Sequence, residues 1–130
     1  MPLQQFDERI LVSNGLTLDD TTTTATWHPI LTSYPTGDWR ADVLQATNTD
    51  TIDHNLLISP DNGSPFVAGQ VLLPAGAGTG AVPPVDILAA ILPAAYHYLL
   101  IPNADSIAVQ LLEAISSGKM VHLFVMGGVV

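Results

Sequence analysis

Cysteine is absent from this sequence of 130 residues, which excludes disulfide bonds and thiolate metal sites. Positive charge is scarce as well: three Lys and Arg residues stand against twelve Asp and Glu residues, for a net charge of -9. Because phosphate binding needs clustered Lys and Arg, nucleic acid is not expected as a partner. No apolar run approaches the roughly 18 residues of a membrane span, so no membrane partner is expected either. Residues 1–5 lack the basic and apolar regions of a signal peptide.

Charge of either sign is low, and apolar residues are abundant. Charged residues make up 12% of the chain, about half the usual fraction. The mean hydropathy is +0.37. A chain of this length is expected to form one domain that folds without disulfide bonds or structural metal ions. A soluble domain with so little charge is expected to cover part of its surface with other subunits, which predicts a homo-oligomer.

The segment 39–59 predicts the central β-hairpin of the fold. Strand-like runs over 39–46 and 52–59 flank a polar turn over 47–51, where Asn and Asp suit turn geometry. Side chains alternate with period two along a strand, so each run has one apolar face. The predicted apolar faces are Trp39, Ala41 and Val43 in the first run and Ile52, Leu56 and Ile58 in the second, with Asp53 and Asn55 opposite the latter.

Further short strands are predicted along the rest of the chain. They cover residues 9–13 (ended by Asn14-Gly15), 25–32, 66–73, 96–101, 106–114 and 120–126. Pro29 cannot donate a ladder hydrogen bond, which places its strand at a sheet edge or a bulge. Over 120–126 both faces are apolar, which predicts a central strand. Residues 85–92 follow two prolines and place Leu88, Ile91 and Leu92 at helical spacing, which favours a short helix over a strand.

Seven to nine short strands spaced about ten residues apart are typical of a β-sandwich or barrel. We therefore predict an all-β fold, an antiparallel, jelly-roll-like β-sandwich with one short helix. Residues 25–130 are predicted to form the sandwich. Residues 1–24 contain one short apolar run and a Thr-rich stretch, and are predicted to form an extended N-terminal arm held by another chain.

Four turn-rich segments carry a resemblance to a known class of proteins. They are ATNTDT at 46–51, VLLPAG at 71–76, LIPNADSI at 100–107 and FVMGG at 124–128. Over residues 38–130 the chain resembles small β-sandwich accessory structural proteins of tailed bacteriophages. It departs from that pattern at residues 103–105, where many such chains have a glycine.

The resemblance implies a non-enzymatic role on a phage particle, without a cofactor. The first expectation is a capsid decoration (cement) protein on the head surface, acting as a homotrimer with the major capsid protein as partner. A component of the tail, baseplate or fibre is the alternative within the virion. The residues expected in intersubunit contacts are Leu3, Phe6, Trp27, Phe124 and Met126.

Proteins of other functional classes would need particular residues of this chain to form a binding or catalytic site. Trp27, Tyr34, Trp39 and Tyr96 would form the sugar platform of a carbohydrate-binding module. Calcium would need Asp50, Asp53 and Asp61 to gather with Asn48 and Asn62, but no EF-hand spacing is present. The histidines, His28, His54, His97 and His122, lie in no zinc motif. Residues 76–80 lack the Lys-Ser/Thr pair of a phosphate loop, and no nucleophile elbow is present.

Overall fold

The computed structural model describes residues 11–130, and the arm residues Leu3 and Phe6 lie outside them. In the described part of the chain, strands and one helix follow in the order β1 (Leu11–Asp19), β2 (Trp27–Pro29), β3 (Trp39–Asn48), β4 (His54–Ser59), β5 (Gly69–Leu73), β6 (Val85–Asp86), α1 (Ile87–Ile91), β7 (Leu99–Ile101), β8 (Ala108–Leu111) and β9 (Met120–Val129). No helix within residues 11–130 is long and apolar enough to cross a membrane.

The strands form two antiparallel sheets. Sheet A has the order β1-β9-β3-β6, with β7 also paired to the start of β3, and sheet B has the order β2-β8-β4-β5. The two sheets face each other across an apolar core, so the predicted β-sandwich is confirmed. The chain passes between the sheets in the way typical of a jelly roll.

The predicted hairpin over 39–59 is wrong. Strand β3 pairs with β6, β7 and β9 in sheet A, whereas β4 pairs with β5 and β8 in sheet B. Residues 49–53 therefore carry the chain from one sheet to the other. The alternation read from the sequence was correct for Leu56 and Ile58, which are fully buried, but Ile52 precedes β4 and is exposed. Period two identifies a shared face, but it does not identify the partner strand.

A β-bulge explains a second difference. The pairing of β3 with β9 shifts register between Ala41 and Val43, so Asp42 is the extra residue. Trp39 and Ala41 face the core as predicted, but the bulge turns Val43 outward and Leu44 inward. Opposite the bulge lies Gly127, where a Cβ atom would come within 1.7 Å of the Arg40 carbonyl oxygen. Only glycine permits this close approach of the two backbones.

The remaining elements differ from prediction mainly in length. Strand β1 continues through Asn14 and Gly15 to Asp19, so residues 11–19 of the predicted arm belong to sheet A. Gly15 lies inside the ladder, opposite Phe124. Strands β5, β7 and β8 are shorter than the runs at 66–73, 96–101 and 106–114. The helix is confirmed; it begins after Asp86, whose carboxylate accepts a hydrogen bond from the Ala89 N–H.

Two predictions of strand position are confirmed. Strand β2, which ends at Pro29, pairs only with β8 among the described strands and lies at the edge of sheet B. Strand β9 lies between β1 and β3 at the centre of sheet A. It has ten residues and pairs along most of its length with both neighbouring strands.

Candidate interaction surface

Strand β9 divides its side chains between the core and the solvent. Val121, Leu123 and Val125 are buried against sheet B. The alternate residues point to the other side of the sheet: Phe124 is 40% exposed and Met126 is 45% exposed. Met120 and His122 lie in the same phase. A central strand that is apolar on both faces therefore leaves half of its apolar side chains in water.

Neighbouring strands extend this apolar surface. Val43, which the bulge turns outward, lies directly opposite Met126. Phe124 lies between Gly15 of β1 and Gln45 of β3, so small and uncharged residues flank its ring. Leu100 of β7 is exposed beside Arg40 at the start of β3. We call this surface the outer face of sheet A; its apolar members are Val43, Leu100, Met120, Phe124 and Met126.

Charged side chains are few on the outer face of sheet A, and some of them are paired. The Arg40 Nε lies 3.1 Å from an Asp42 carboxylate oxygen, and the guanidinium carbon lies 5.0 Å from the centre of the Tyr98 ring. His122 Nδ1 is 2.9 Å from the Thr17 hydroxyl of β1. Two further carboxylates lie on this face without an ion-pair partner among the described residues: Asp19 lies opposite Met120, and Asp86 lies opposite Gln45. Asp19 accepts hydrogen bonds from Thr21, and Asp86 accepts one from the Ala89 N–H.

The outer face of sheet B has a different chemistry. One row across the sheet runs from Trp27 through Gln110 and Leu57 to Gln70, by the register of its four strands. The next row pairs Asn55 with the exposed Leu72. Amide side chains alternate with apolar ones along both rows. The outer face of sheet A also carries polar side chains, but its central strand β9 presents Met120, Phe124 and Met126 there, which no strand of sheet B matches.

The predicted interface residues thus fall on two sides of the sandwich. Phe124 and Met126 lie together on the outer face of sheet A. Trp27 is half-buried in β2 and belongs to the outer face of sheet B. Leu3 and Phe6 lie outside the described residues. Val43 and Leu100 were not expected on this surface. The alternation placed Val43 on the buried face of its strand, and the bulge that exposes Val43 could not be read from the sequence.

The four aromatic residues considered for a sugar platform are not brought together. Trp39 is fully buried, and its Nε1 donates to the Asp105 carbonyl at 3.1 Å. Tyr34 lines a groove beside β1, and Tyr96 lines another beside α1. Trp27 alone combines partial exposure with a position on a flat sheet face.

A buried polar network holds the crossing between the sheets. Asp50 and His54 are both buried, with Asp50 Oδ2 2.8 Å from His54 Nε2 and 2.9 Å from the Ser116 N–H. The Asn48 amide donates to the Ile52 and Leu73 carbonyls, and its oxygen accepts from the Asp50 N–H. These bonds satisfy most of the polar groups that the crossing would otherwise leave buried and unpaired.

The ionisation of Asp50 follows from the same contacts. Burial alone would raise the pKa of the Asp50 carboxyl, but the hydrogen bonds from His54, Ser116 and Thr51 outweigh it and lower that pKa well below its ordinary value. The carboxylate is therefore an acceptor, and His54 Nε2 carries the shared proton. The other ring nitrogen, Nδ1, is buried 3.7 Å from a Glu113 carboxylate oxygen.

An Asp–His pair can orient an imidazole for proton transfer, as in serine hydrolases. Here both side chains are fully enclosed. A general base must come within hydrogen-bond reach of a substrate. The pair cannot do so in this position, and its bonds to β4 and to the turn at Ser116 give it a structural role. The sequence showed only a turn-forming DTIDH segment, without a sign that Asp50 and His54 would meet.

The acidic residues proposed for calcium are separated by the fold. Asp50 and Asp53 precede β4, whereas Asp61 follows it, so a six-residue strand of roughly 20 Å stands between them. Asp53 accepts from the Ala75 N–H at 2.8 Å, and Asp61 accepts from the Gly63 and Ser64 N–H groups. Over residues 11–130, no three His, Asp or Glu side chains are grouped in a way that could hold a metal ion.

The glycine-rich segment 76–80 packs against the end of β3. The Ala77 carbonyl accepts from the Asn48 N–H at 2.8 Å, and the Gly78 N–H donates to the Val82 carbonyl. Gly78 has φ +83°, and a Cβ there would lie 2.4 Å from a Thr47 methyl carbon. The Ala77, Gly78 and Thr79 N–H groups donate to nearby carbonyls of the same loop, and the Gly76 N–H donates to the Asp50 carbonyl, so these four groups are not free to hold a phosphate.

Comparisons with known proteins find little. No family model matches the chain, and no curated protein matches it. Among solved structures, the chain is similar to one from the virus-like particle of the extra small virus of the giant freshwater prawn Macrobrachium rosenbergii. The identity is 9% and the TM-score is 0.39, with 95% of this chain and 80% of that chain covered. A likeness of this degree carries no argument about function.

Proposed function

We propose that the protein is a non-enzymatic structural component of a virus particle, namely a decoration (cement) protein on the head of a tailed bacteriophage. The observation that supports this best is the outer face of sheet A. Five apolar side chains there are exposed, and three of them, Val43, Phe124 and Met126, lie at adjoining positions of two paired strands. Large exposed apolar surfaces of this kind mark protein interfaces.

The mechanism is burial of apolar surface between subunits. Each square ångström of apolar surface removed from water stabilises an assembly by about 25 cal/mol before the entropic cost of association. Such a contact is non-directional and needs no chemistry at a site. The rigid two-sheet scaffold holds the contact surface in shape, because its inner face is closed by a continuous core.

The proposed assembly is a homotrimer. Because Trp27 lies on the opposite side of the sandwich from Phe124 and Met126, no single flat contact can bury all three. Three copies can instead turn their outer faces of sheet A towards a threefold axis, as the sides of a prism. Phe124 and Met126, on the central strand, would then lie near the axis.

In that arrangement the outer face of sheet B points away from the axis. Its rows of amide and apolar side chains suit a contact with a different protein, for which we propose the major capsid protein. Trp27 is the residue of this face best suited to anchor such a contact, since tryptophan is enriched at the centres of interfaces.

Copy number in purified particles tests the proposal. Quantitative mass spectrometry should find the protein at a number comparable with that of the major capsid protein, and immunogold labelling should place it on the head. A handful of copies located on the tail would instead identify a tail, baseplate or fibre component. Absence from purified particles would contradict both.

A carbohydrate-binding module is the second candidate, supported by one observation. Trp27 is partly exposed on a flat sheet face in the same row as the amides of Gln110 and Gln70. Aromatic rings flanked by amides can stack on sugars and bond their hydroxyls. A glycan array probed with the protein and with Trp27→Ala tests it: binding lost in the variant would favour this function.

A further inference from the structure

A groove runs along the start of β1. It lies between residues 11–14 of that strand and the loop 31–35, and it has a volume of about 370 Å³. This volume falls in the range of pockets that enclose small ligands or short segments. Leu11, at one end, is 77% exposed, and Tyr34 on the loop is exposed as well. None of the residues that line the groove carries a charge.

Strand β1 lacks the usual protection of an edge strand. It has nine residues, contains no proline, and has no charged side chain before Asp19. Among residues 11–130, only β9 pairs with it. The Asn14 side chain donates to the Ile30 carbonyl and accepts from the Gly15 N–H, and the Asp19 N–H donates to the Thr22 hydroxyl, so the edge from Asn14 onward is partly occupied. The half next to the groove is the one left for an added strand.

The sequence contains a segment whose chemistry matches the groove. Residues 1–6, Met-Pro-Leu-Gln-Gln-Phe, have no charged side chain and include the large apolar side chains of Leu3 and Phe6. Residues 7–10, Asp-Glu-Arg-Ile, separate this segment from β1. An uncharged, partly apolar segment suits an uncharged, partly apolar groove, whereas residues 7–9 would bring charge into it.

The direction of β1 favours a second copy as the source of the segment. The groove starts at Leu11 and follows β1 towards Asn14, so chain continuing from Leu11 leaves the groove. To return, residues 7–10 would have to reverse direction within four residues, and Asp7 is the only turn-favouring residue among them. A neighbouring copy can supply the same segment without that reversal.

We propose that residues 1–6 of a neighbouring copy lie in this groove as an added strand beside β1. The proposal rests on the homo-oligomer proposed above and specifies how adjacent subunits are linked. Around a threefold axis each copy would donate one segment and accept another, so that all grooves are filled.

Disulfide trapping tests this cleanly, because the chain has no cysteine of its own. A chain with Gln4→Cys is co-expressed with a differently tagged chain carrying Ser33→Cys, which lies in the groove wall. Mild oxidation should give a mixed disulfide dimer at a yield at least about tenfold above that of the control, Gln4→Cys with Thr79→Cys. Thr79 is exposed in the loop at the opposite end of the sandwich. Phe6→Ser in the Gln4→Cys chain should lower the yield.

Two results would overturn the proposal. One is a yield no higher than that of the Thr79→Cys control. The other is rapid trapping within a single chain that carries both Gln4→Cys and Ser33→Cys, at a rate independent of dilution, which would show that each chain fills its own groove. Native mass spectrometry of the unmodified protein distinguishes failure of this proposal from failure of the proposed homotrimer. A trimer without trapping would contradict only the placement of residues 1–6 in the groove, whereas a monomer would contradict the homotrimer as well.

Discussion

The outer faces of the two sheets differ, although both sheets obey the same alternation. In sheet A the residues turned away from the core include Phe124, Met126 and Val43. In sheet B the equivalent positions include Gln110, Gln70 and Asn55. Both sheets share one core, so folding alone would be served by polar residues on either outer face. The apolar side chains of sheet A therefore need an explanation beyond the stability of a single chain.

The largest expected effect tests whether the inner and outer sides of sheet B are correctly distinguished. Leu56→Asp should abolish cooperative folding, because Leu56 is fully buried and an unpaired carboxylate there costs more than a small domain can sustain. Leu72→Asp, in the neighbouring strand, should leave the Tm nearly unchanged, since Leu72 is 49% exposed. Thermal melts by circular dichroism measure both. Equal tolerance of the two changes would mean that the phase of this sheet is wrong.

The next effect concerns the bulge that turns Val43 onto the outer face of sheet A. Gly127→Ala should lower the free energy of unfolding by about 3 kcal/mol or more, because the new methyl group collides with the Arg40 carbonyl. Gly15→Ala is the control in the same sheet: its Cβ would meet only the Leu123 carbonyl oxygen, at 3.4 Å. Urea titration measures the two losses. A smaller loss for Gly127→Ala than for Gly15→Ala would count against the bulge.

The connection between the sheets should be sensitive to acid. The pKa of Asp50 is lowered in the folded state, so its carboxylate stabilises the fold above its unfolded pKa of about 4, and that stability is lost as the pH falls below this value. The hydrogen bonds that lower the pKa values of Asp19 and Asp61 act in the same direction. The Tm should therefore fall as the pH is lowered from about 5 to about 2, which is roughly the range over which folded-state carboxylates titrate.

Asp50→Asn is the matched variant for that experiment. It should reduce stability at pH 7, by about 2 kcal/mol, because His54 and the Ser116 N–H lose a charged acceptor. It should also flatten the fall in Tm with acid. Asp20→Asn, at an exposed position, should leave the acid profile of the parent protein in place. An identical dependence of Tm on pH for Asp50→Asn and the parent would show that Asp50 does not cause the acid sensitivity.

The variants with the smallest expected effect on folding compare the two outer faces directly, by their effect on self-association. The double change Phe124→Ser and Met126→Ser should weaken self-association at least about tenfold, or about 1.4 kcal/mol, with little loss of monomer stability. The double change Leu57→Ser and Leu72→Ser, on the outer face of sheet B, should leave self-association unchanged. Light scattering over a concentration series distinguishes them. Equal weakening by both variants would show that the contrast between the faces has no bearing on assembly.

Several features of the fold follow from the sequence alone. Spaced turns and short alternating runs predicted a β-sandwich, because period two fixes which side chains of a strand share a face. The two-faced apolar run at 120–126 predicted the central strand β9, because strands that are apolar on both faces are typical of the interior of a sheet. Pro29 predicted an edge, and the double proline at 83–84 predicted the helix that begins at Ile87.

Tertiary structure alone decided the rest. Local alternation contains no information on the partner strand, so residues 39–59 looked like a hairpin while the chain was crossing from sheet A to sheet B. The bulge at Asp42 depends on Gly127, which is 85 residues away in sequence, and it reverses which side chains of β3 are exposed. The Asp50–His54 pair depends likewise on the turn at Ser116. Such features arise from contacts between distant segments, which the pattern of any one segment cannot encode.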